Sequence, residues 1–131
     1  DWGTSGEGNL EFHAALAVAL DNQGNILVTE AGNNRVQKLD RDGKFLLKWG
    51  TLGTAPGQFD YPESIAVDAQ DNIYVSDRHN HRVQKFDSSG KFLAQWRGDN
   101  AKLDPSGIAV DAQGNVYVSE AERESIFKFQ P

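Results

Sequence analysis

The sequence predicts an all-β fold in which short four-stranded antiparallel sheets stack radially as blades, a β-propeller. Three observations lead there. The first is an internal repeat: residues 17–25, 64–72 and 107–115 read AVALDNQGN, SIAVDAQDN and GIAVDAQGN. Their shared aspartates Asp21, Asp68 and Asp111 lie 47 and 43 residues apart, the period of a four-stranded blade. The second is the content of each repeat, short runs of Val, Ile, Phe, Tyr and Trp separated by Gly, Asn, Asp and Ser. The third is the burial pattern. The second run of a repeat is apolar on both faces, with Ile73 and Val75 pointing one way and Tyr74 the other. The last run is one-sided, with Phe45, Leu47 and Trp49 on one face and Leu46 and Lys48 on the other. A sheet buried on both faces in the middle and on one face at its rim sits between two similar sheets.

The elements follow in order within each repeat. Strand a is expected at 18–21, 65–68 and 108–111, and strand b at 26–30, 73–77 and 116–120. Strand c is expected at 35–40, 82–87 and 125–130, and strand d at 44–49 and 91–96. The a–b and c–d connections are tight turns, as in Asn22-Gln23-Gly24-Asn25 and Ser88-Ser89-Gly90, with glycine supplying positive φ. The aspartate closing strand a caps its turn by bonding the turn's backbone. The offset of 47 also runs through the connecting loops, where Trp2-Gly3-Thr4 matches Trp49-Gly50-Thr51 and Phe12 matches Phe59. The chain therefore divides as one propeller segment over 1–131. Residues 1–16 are the stub of a preceding outer strand with its connecting loop, and 17–50 are blade 1. Residues 51–98 are a connecting loop and blade 2, and 99–131 a connecting loop and a third blade without its outer strand.

Composition limits the function. The 131 residues carry 13 Lys and Arg against 19 Asp and Glu, a net charge of −6. Non-specific nucleic-acid binding by net charge is disfavoured, and the loop face mixes its few cations with many acids. No cysteine is present, so disulfides, thiolate metal sites and cysteine nucleophiles are excluded. No apolar run is long enough to span a membrane, and no basic segment followed by an apolar stretch marks a signal peptide. The chain reads as soluble, and its compartment is unassigned. Methionine is absent even from position 1, as expected of a processed form or a segment of something longer.

The run Pro62-Glu63-Ser64-Ile65-Ala66-Val67-Asp68, with Asn72 to Asp77, Asn80 to Asp87 and Gly90-Lys91-Phe92, resembles the NHL repeat. The resemblance covers essentially the whole chain. It implies a propeller, usually of six blades, and a choice of roles: protein-interaction module, RNA-binding domain, sensor domain, or metal-dependent peptidyl-hydroxyglycine lyase. Fold does not choose among them.

Propellers bind ligands on the face carrying the b–c and d–a loops, and the candidate contact residues there are Asn33, Asn34, Arg78, His79, Asn80, His81, Glu122, Arg123 and Glu124. His79 and His81 form an H-x-H pair that could ligate zinc or calcium. Against a metal, Asn34 and Glu124 occupy the place of His81 in the other repeats, and one blade supplies no third ligand. No cofactor is expected. Glu30 and Asp77 face Arg35 and Arg82 across a hairpin, which reads as a structural ion pair. Ser125 replaces the arginine in the third repeat, leaving Glu120 without that partner. No catalytic residue is assigned. The expected role is a non-catalytic scaffold for a protein, peptide or small ligand, with lyase, RNA-binding and assembly-only half-propeller as alternatives.

If six blades make the ring, three make half of it, and the inner faces of the first and last blades are then open to association. Either missing blades of a longer chain or a second copy would complete six blades. Trp2, beside Phe127 or Phe129, is the expected assembly contact.

Overall fold

The computed structural model describes residues 1–98 and 102–130, so part of the third connecting loop lies outside the described residues. Blade 1 is β3 (Ala15–Leu20), β4 (Ile26–Glu30), β5 (Arg35–Leu39) and β6 (Phe45–Trp49), preceded by the two-residue strands β1 (Thr4–Ser5) and β2 (Glu11–Phe12). Blade 2 is β7 (Pro62–Val67), β8 (Ile73–Asp77), β9 (Arg82–Phe86) and β10 (Phe92–Trp96). Blade 3 is β11 (Pro105–Val110), β12 (Val116–Glu120) and β13 (Ser125–Phe129). Each blade is an antiparallel meander in sequence order. Among the described residues no helix is long and apolar enough to cross a membrane.

Strands b, c and d fall within one residue of expectation, and strand a does not. It begins three residues earlier in every blade and stops before the aspartate. Ala15, Pro62 and Pro105 pair directly with Glu30, Asp77 and Glu120, and the register then slips by a bulge. Proline is tolerated there because it opens the strand at a sheet edge. The bulge leaves an amide without a ladder partner, and a hydroxyl on strand b accepts from it. Ala17 N donates to Thr29 Oγ1 at 3.2 Å, Ser64 N to Ser76 Oγ at 2.8 Å and Gly107 N to Ser119 Oγ at 2.9 Å.

The tight turns are capped as expected. Asp21 Oδ1 accepts from the amides of Gln23 and Asn25 at 2.9 and 2.8 Å, and Asp68 and Asp111 repeat this. Asp40 and Asp87 do the same in the c–d turns. Burial raises the Asp21 pKa, but bonds from Asn25, Gln23 and Lys38 outweigh it and hold the carboxyl below its ordinary value. In blade 2 the turn glycine is replaced by Asp71 at φ 63°, whose carboxylate accepts from the Asn22 amide at 2.8 Å and so ties the turns of blades 1 and 2.

The core lies between blades. Leu27 and Val36 of blade 1 meet Ile65, Ile73, Val75 and Phe86 of blade 2. Tyr74 and Val83 of blade 2 meet Val116, Val118, Phe127 and Phe129 of blade 3. Each blade thus has a front face turned to the next blade and a rear face turned to the previous one. The last residue of strand d joins them: Trp49 lies 5.5 Å from Phe86 and Trp96 lies 6.0 Å from Phe129, centroid to centroid.

Candidate functional site

The loop face is built on the acid that ends strand b. Glu30 and Asp77 are fully buried. Their carboxylates accept from Arg35 Nε and Arg82 Nε at 2.7 Å each, the ion pair the sequence suggests. A buried pair of this kind persists only if its remaining groups are bonded, and the d–a loop supplies them. Arg82 also donates to the carbonyls of Thr54, Ala55 and Gln58 at 2.9, 3.0 and 2.7 Å. Arg35 donates to the carbonyls of Glu7, Gly8 and Glu11. Gln37 and Gln84 bond the same carboxylates and the carbonyls of Glu11 and Gln58. The first two d–a loops are therefore wrapped around buried polar side chains of strand c.

This accounts for several candidate contact residues. Asn33 Nδ2 donates to Glu30 and to Gly6 O at 2.8 Å, and Asn80 Nδ2 donates to Asp77 at 3.0 Å and to Gly53 O at 2.7 Å. Both asparagines are bonded to the chain's own loops. Asn34 and His81 share a left-handed backbone, φ 50° and 54°, and each latches the following loop. Asn34 Oδ1 accepts from Tyr61 N at 3.0 Å, and His81 Nδ1 lies 2.8 Å from Leu103 O, so that nitrogen carries the proton. Glu124, at φ 50°, has the same backbone, and its side chain is exposed.

His79 and His81 do not converge. His79 stacks on Tyr61 at 4.7 Å and points Nδ1 at Asp60, 3.3 Å away, while His81 turns to Leu103. Among the described residues no three His, Cys, Asp or Glu side chains gather to hold a metal ion. Arg78 bridges Glu63 at 2.9 Å and Asp104 at 3.0 Å, and Ser106 donates to Glu63 at 3.0 Å. These ionic bonds fix the pKa of Arg78 above its ordinary value, Asp104 and Glu63 leading. The arginine so fastens blade 2 to blade 3.

The third blade departs from this plan. Ser125 and Phe127 stand where the other blades have Arg and Gln, and the loop they would hold is four residues shorter. Glu120 is buried, and accepts from Ser125 Oγ at 2.7 Å and Asp104 N at 3.2 Å. A crevice of about 270 Å³ opens between blades 2 and 3, lined by His81, Lys102, Asp104, Glu122 and Arg123. Three of these five are expected contact residues. Lys102 and Asp104 were missed, although the change of spacing from 47 to 43, coincident with the loss of Arg and Gln, marks their loop as different.

A ring segment of repeated blades with its variable loops on one face defines a β-propeller repeat protein. The NHL repeat model matches residues 12–39, 59–86 and 103–129, and the chain belongs to that family. No curated protein matches the sequence. Among solved structures, a catalytically inactive virginiamycin B lyase from Staphylococcus aureus, bound to quinupristin, superposes with a TM-score of 0.68 at 19% identity, over 90% of this chain and 41% of that one. A streptogramin B lyase gives 0.65 at 17% identity, over 87% and 39%. Hydrazine synthase of Kuenenia stuttgartiensis gives 0.74 at 17% identity, over 98% and 35%. At these identities the likeness is one of fold, and the chain spans less than half the length of each neighbour.

Proposed function

We propose that the chain is a non-catalytic binding scaffold that takes a peptide or small zwitterionic ligand in the crevice between blades 2 and 3. The observation that carries this reading is the departure of blade 3 from its siblings. In blades 1 and 2, Asn33, Asn34, Arg35, Asn80 and Arg82 of this face are bonded to the chain's own loops. Around the crevice, Lys102, Glu122 and Arg123 are exposed, and both signs of charge stand on a small concave surface. Cations there meet a ligand carboxylate, and Glu122 meets an ammonium, through charge-assisted hydrogen bonds. The crevice is held open by the Arg78 bridges and the His81 latch, so binding does not have to order it.

Screening short charged peptides against the wild type and the Lys102→Glu/Arg123→Glu double variant tests this reading. The double variant is expected to bind at least about tenfold more weakly, roughly 1.4 kcal/mol. His79→Ala, at a residue that stacks on Tyr61 and does not line the crevice, should bind as the wild type does. Equal binding by wild type and double variant overturns the assignment. Zinc or calcium retained at one ion per chain after dialysis would favour instead a metal-dependent lyase; two structural neighbours are named as lyases. Salt-sensitive retention of RNA would favour nucleic-acid recognition.

A further inference from the structure

Resting on the crevice between blades 2 and 3 as the binding site, we infer that its ligand is a free acidic amino acid, which carries two carboxylates and one ammonium. The crevice is lined by His81, Lys102, Asp104, Glu122 and Arg123. Two of these are committed to the chain. Asp104 Oδ1 accepts from Arg78 Nε at 3.0 Å, and Asp104 Oδ2 is buried out of reach of solvent. His81 holds the carbonyl of Leu103 through Nδ1. Lys102, Glu122 and Arg123 are exposed, and among the described residues none of them joins a salt bridge. The uncommitted charges are therefore two cations and one anion. A molecule with two carboxylates and one ammonium answers each of them, and no charge on either side is left over.

The repeat shows where these groups belong. Glu122 and Arg123 hold the places of Gly32 and Asn33 in blade 1 and of His79 and Asn80 in blade 2. Asn33 and Asn80 donate to Gly6 O and Gly53 O at 2.8 and 2.7 Å, and His79 stacks on Tyr61. Those partners all lie in the loop leading into the same blade. In blade 3 that loop carries Lys102 and Asp104, the other walls of the crevice. The position that reaches the following loop is the next one, held by Asn34, His81 and Glu124. Glu124 does not line the crevice. The site is thus part of the joint between blades 2 and 3, with described chain on both sides of it.

Size and donor chemistry set the class of ligand. At about 270 Å³ the crevice is smaller than most sites for organic ligands, which start near about 300 Å³, and a single amino acid fits that scale. Arg123 offers a planar fork that takes one carboxylate through two parallel N–H bonds. Lys102, a point charge on a flexible stem, takes the second carboxylate. Glu122 accepts from the ammonium. A neutral amino acid leaves one cation without a partner. A dicarboxylate without the amine sets Glu122 beside two anions, and like charges brought together weaken binding.

Calorimetric titration of the full chain with L-glutamate, L-glutamine and glutarate tests the proposal. Glutamate is expected to bind at least about tenfold more tightly than either of the others, since each of them lacks one charge-assisted hydrogen bond. In Glu122→Gln the advantage of glutamate over glutarate should vanish, while its advantage over glutamine remains. Equal affinity for glutamate and glutamine overturns the proposal and leaves a simple zwitterion in the crevice. Equal affinity for glutamate and glutarate in the wild type also overturns it, because Glu122 then reads no ammonium. Failure of all three probes to bind overturns it as well. In that case charged peptides that bind the wild type but not the Lys102→Glu/Arg123→Glu variant keep the crevice as the site, and peptides that bind both alike remove the site itself.

Discussion

Arg82 shows how much one side chain can organise. It is fully buried, and it bonds a buried carboxylate and three loop carbonyls at once. Lysine could not, because its point charge lacks the planar fork. Arg82→Ala would leave Asp77 charged, buried and unpaired, and is expected to cost about 3–5 kcal/mol in urea unfolding. A loss near zero would show that the loop holds itself. The ion pair was legible in the sequence from its repetition across the hairpin. The roles of Asn33 and Asn80 were not, since nothing in a b–c loop asparagine distinguishes a ligand contact from a bond to a distant carbonyl. Correlated changes were missed too. Leu27 replaces the tyrosine whose hydroxyl bonds Asp68 and Asp111 in blades 2 and 3, and Lys38 takes over that bond, 3.3 Å from Asp21.

At the scale of elements, alternation and turn residues located strands b, c and d, because side-chain period and turn chemistry are local signals. Strand a was placed three residues short because its first half is a bulge, whose amide is satisfied by a hydroxyl twelve residues away. The parallel pairing of β1 with β2, repeated as the Leu52–Phe59 bridge, was likewise invisible, since it is made by the loop wrapping strand c. Two glycines separate backbone cost from packing. Gly57 and Gly90 have φ of 84° and 83°, but only Gly90 lies under a ring. Gly57→Ala is expected to cost about 1 kcal/mol, the left-handed penalty alone. Gly90→Ala should cost roughly 2 kcal/mol or more, because the Trp49 ring must also move. Equal melting shifts for the two would remove Trp49 from the blade joint.

At the scale of the whole molecule, the repeat specifies both faces of every blade, and the described residues show two joints, one on either side of blade 2. The sequence revealed the repeat that builds those joints. It did not reveal how they fit, because the bonds from Thr29 to Glu63 and from Ser76 to Ser106 depend on the register of the neighbouring blades. The crevice was partly legible for the same reason: its residues were found where the repeat breaks, and its shape depends on which loop is short. If a charged peptide occupies the crevice, it binds the folded chain, and stability rises with peptide concentration. The thermal midpoint of the unaltered chain over about two decades of peptide concentration is the most direct test of that linkage. The midpoint is predicted to climb steadily as concentration increases. A midpoint that does not move would contradict binding in the crevice.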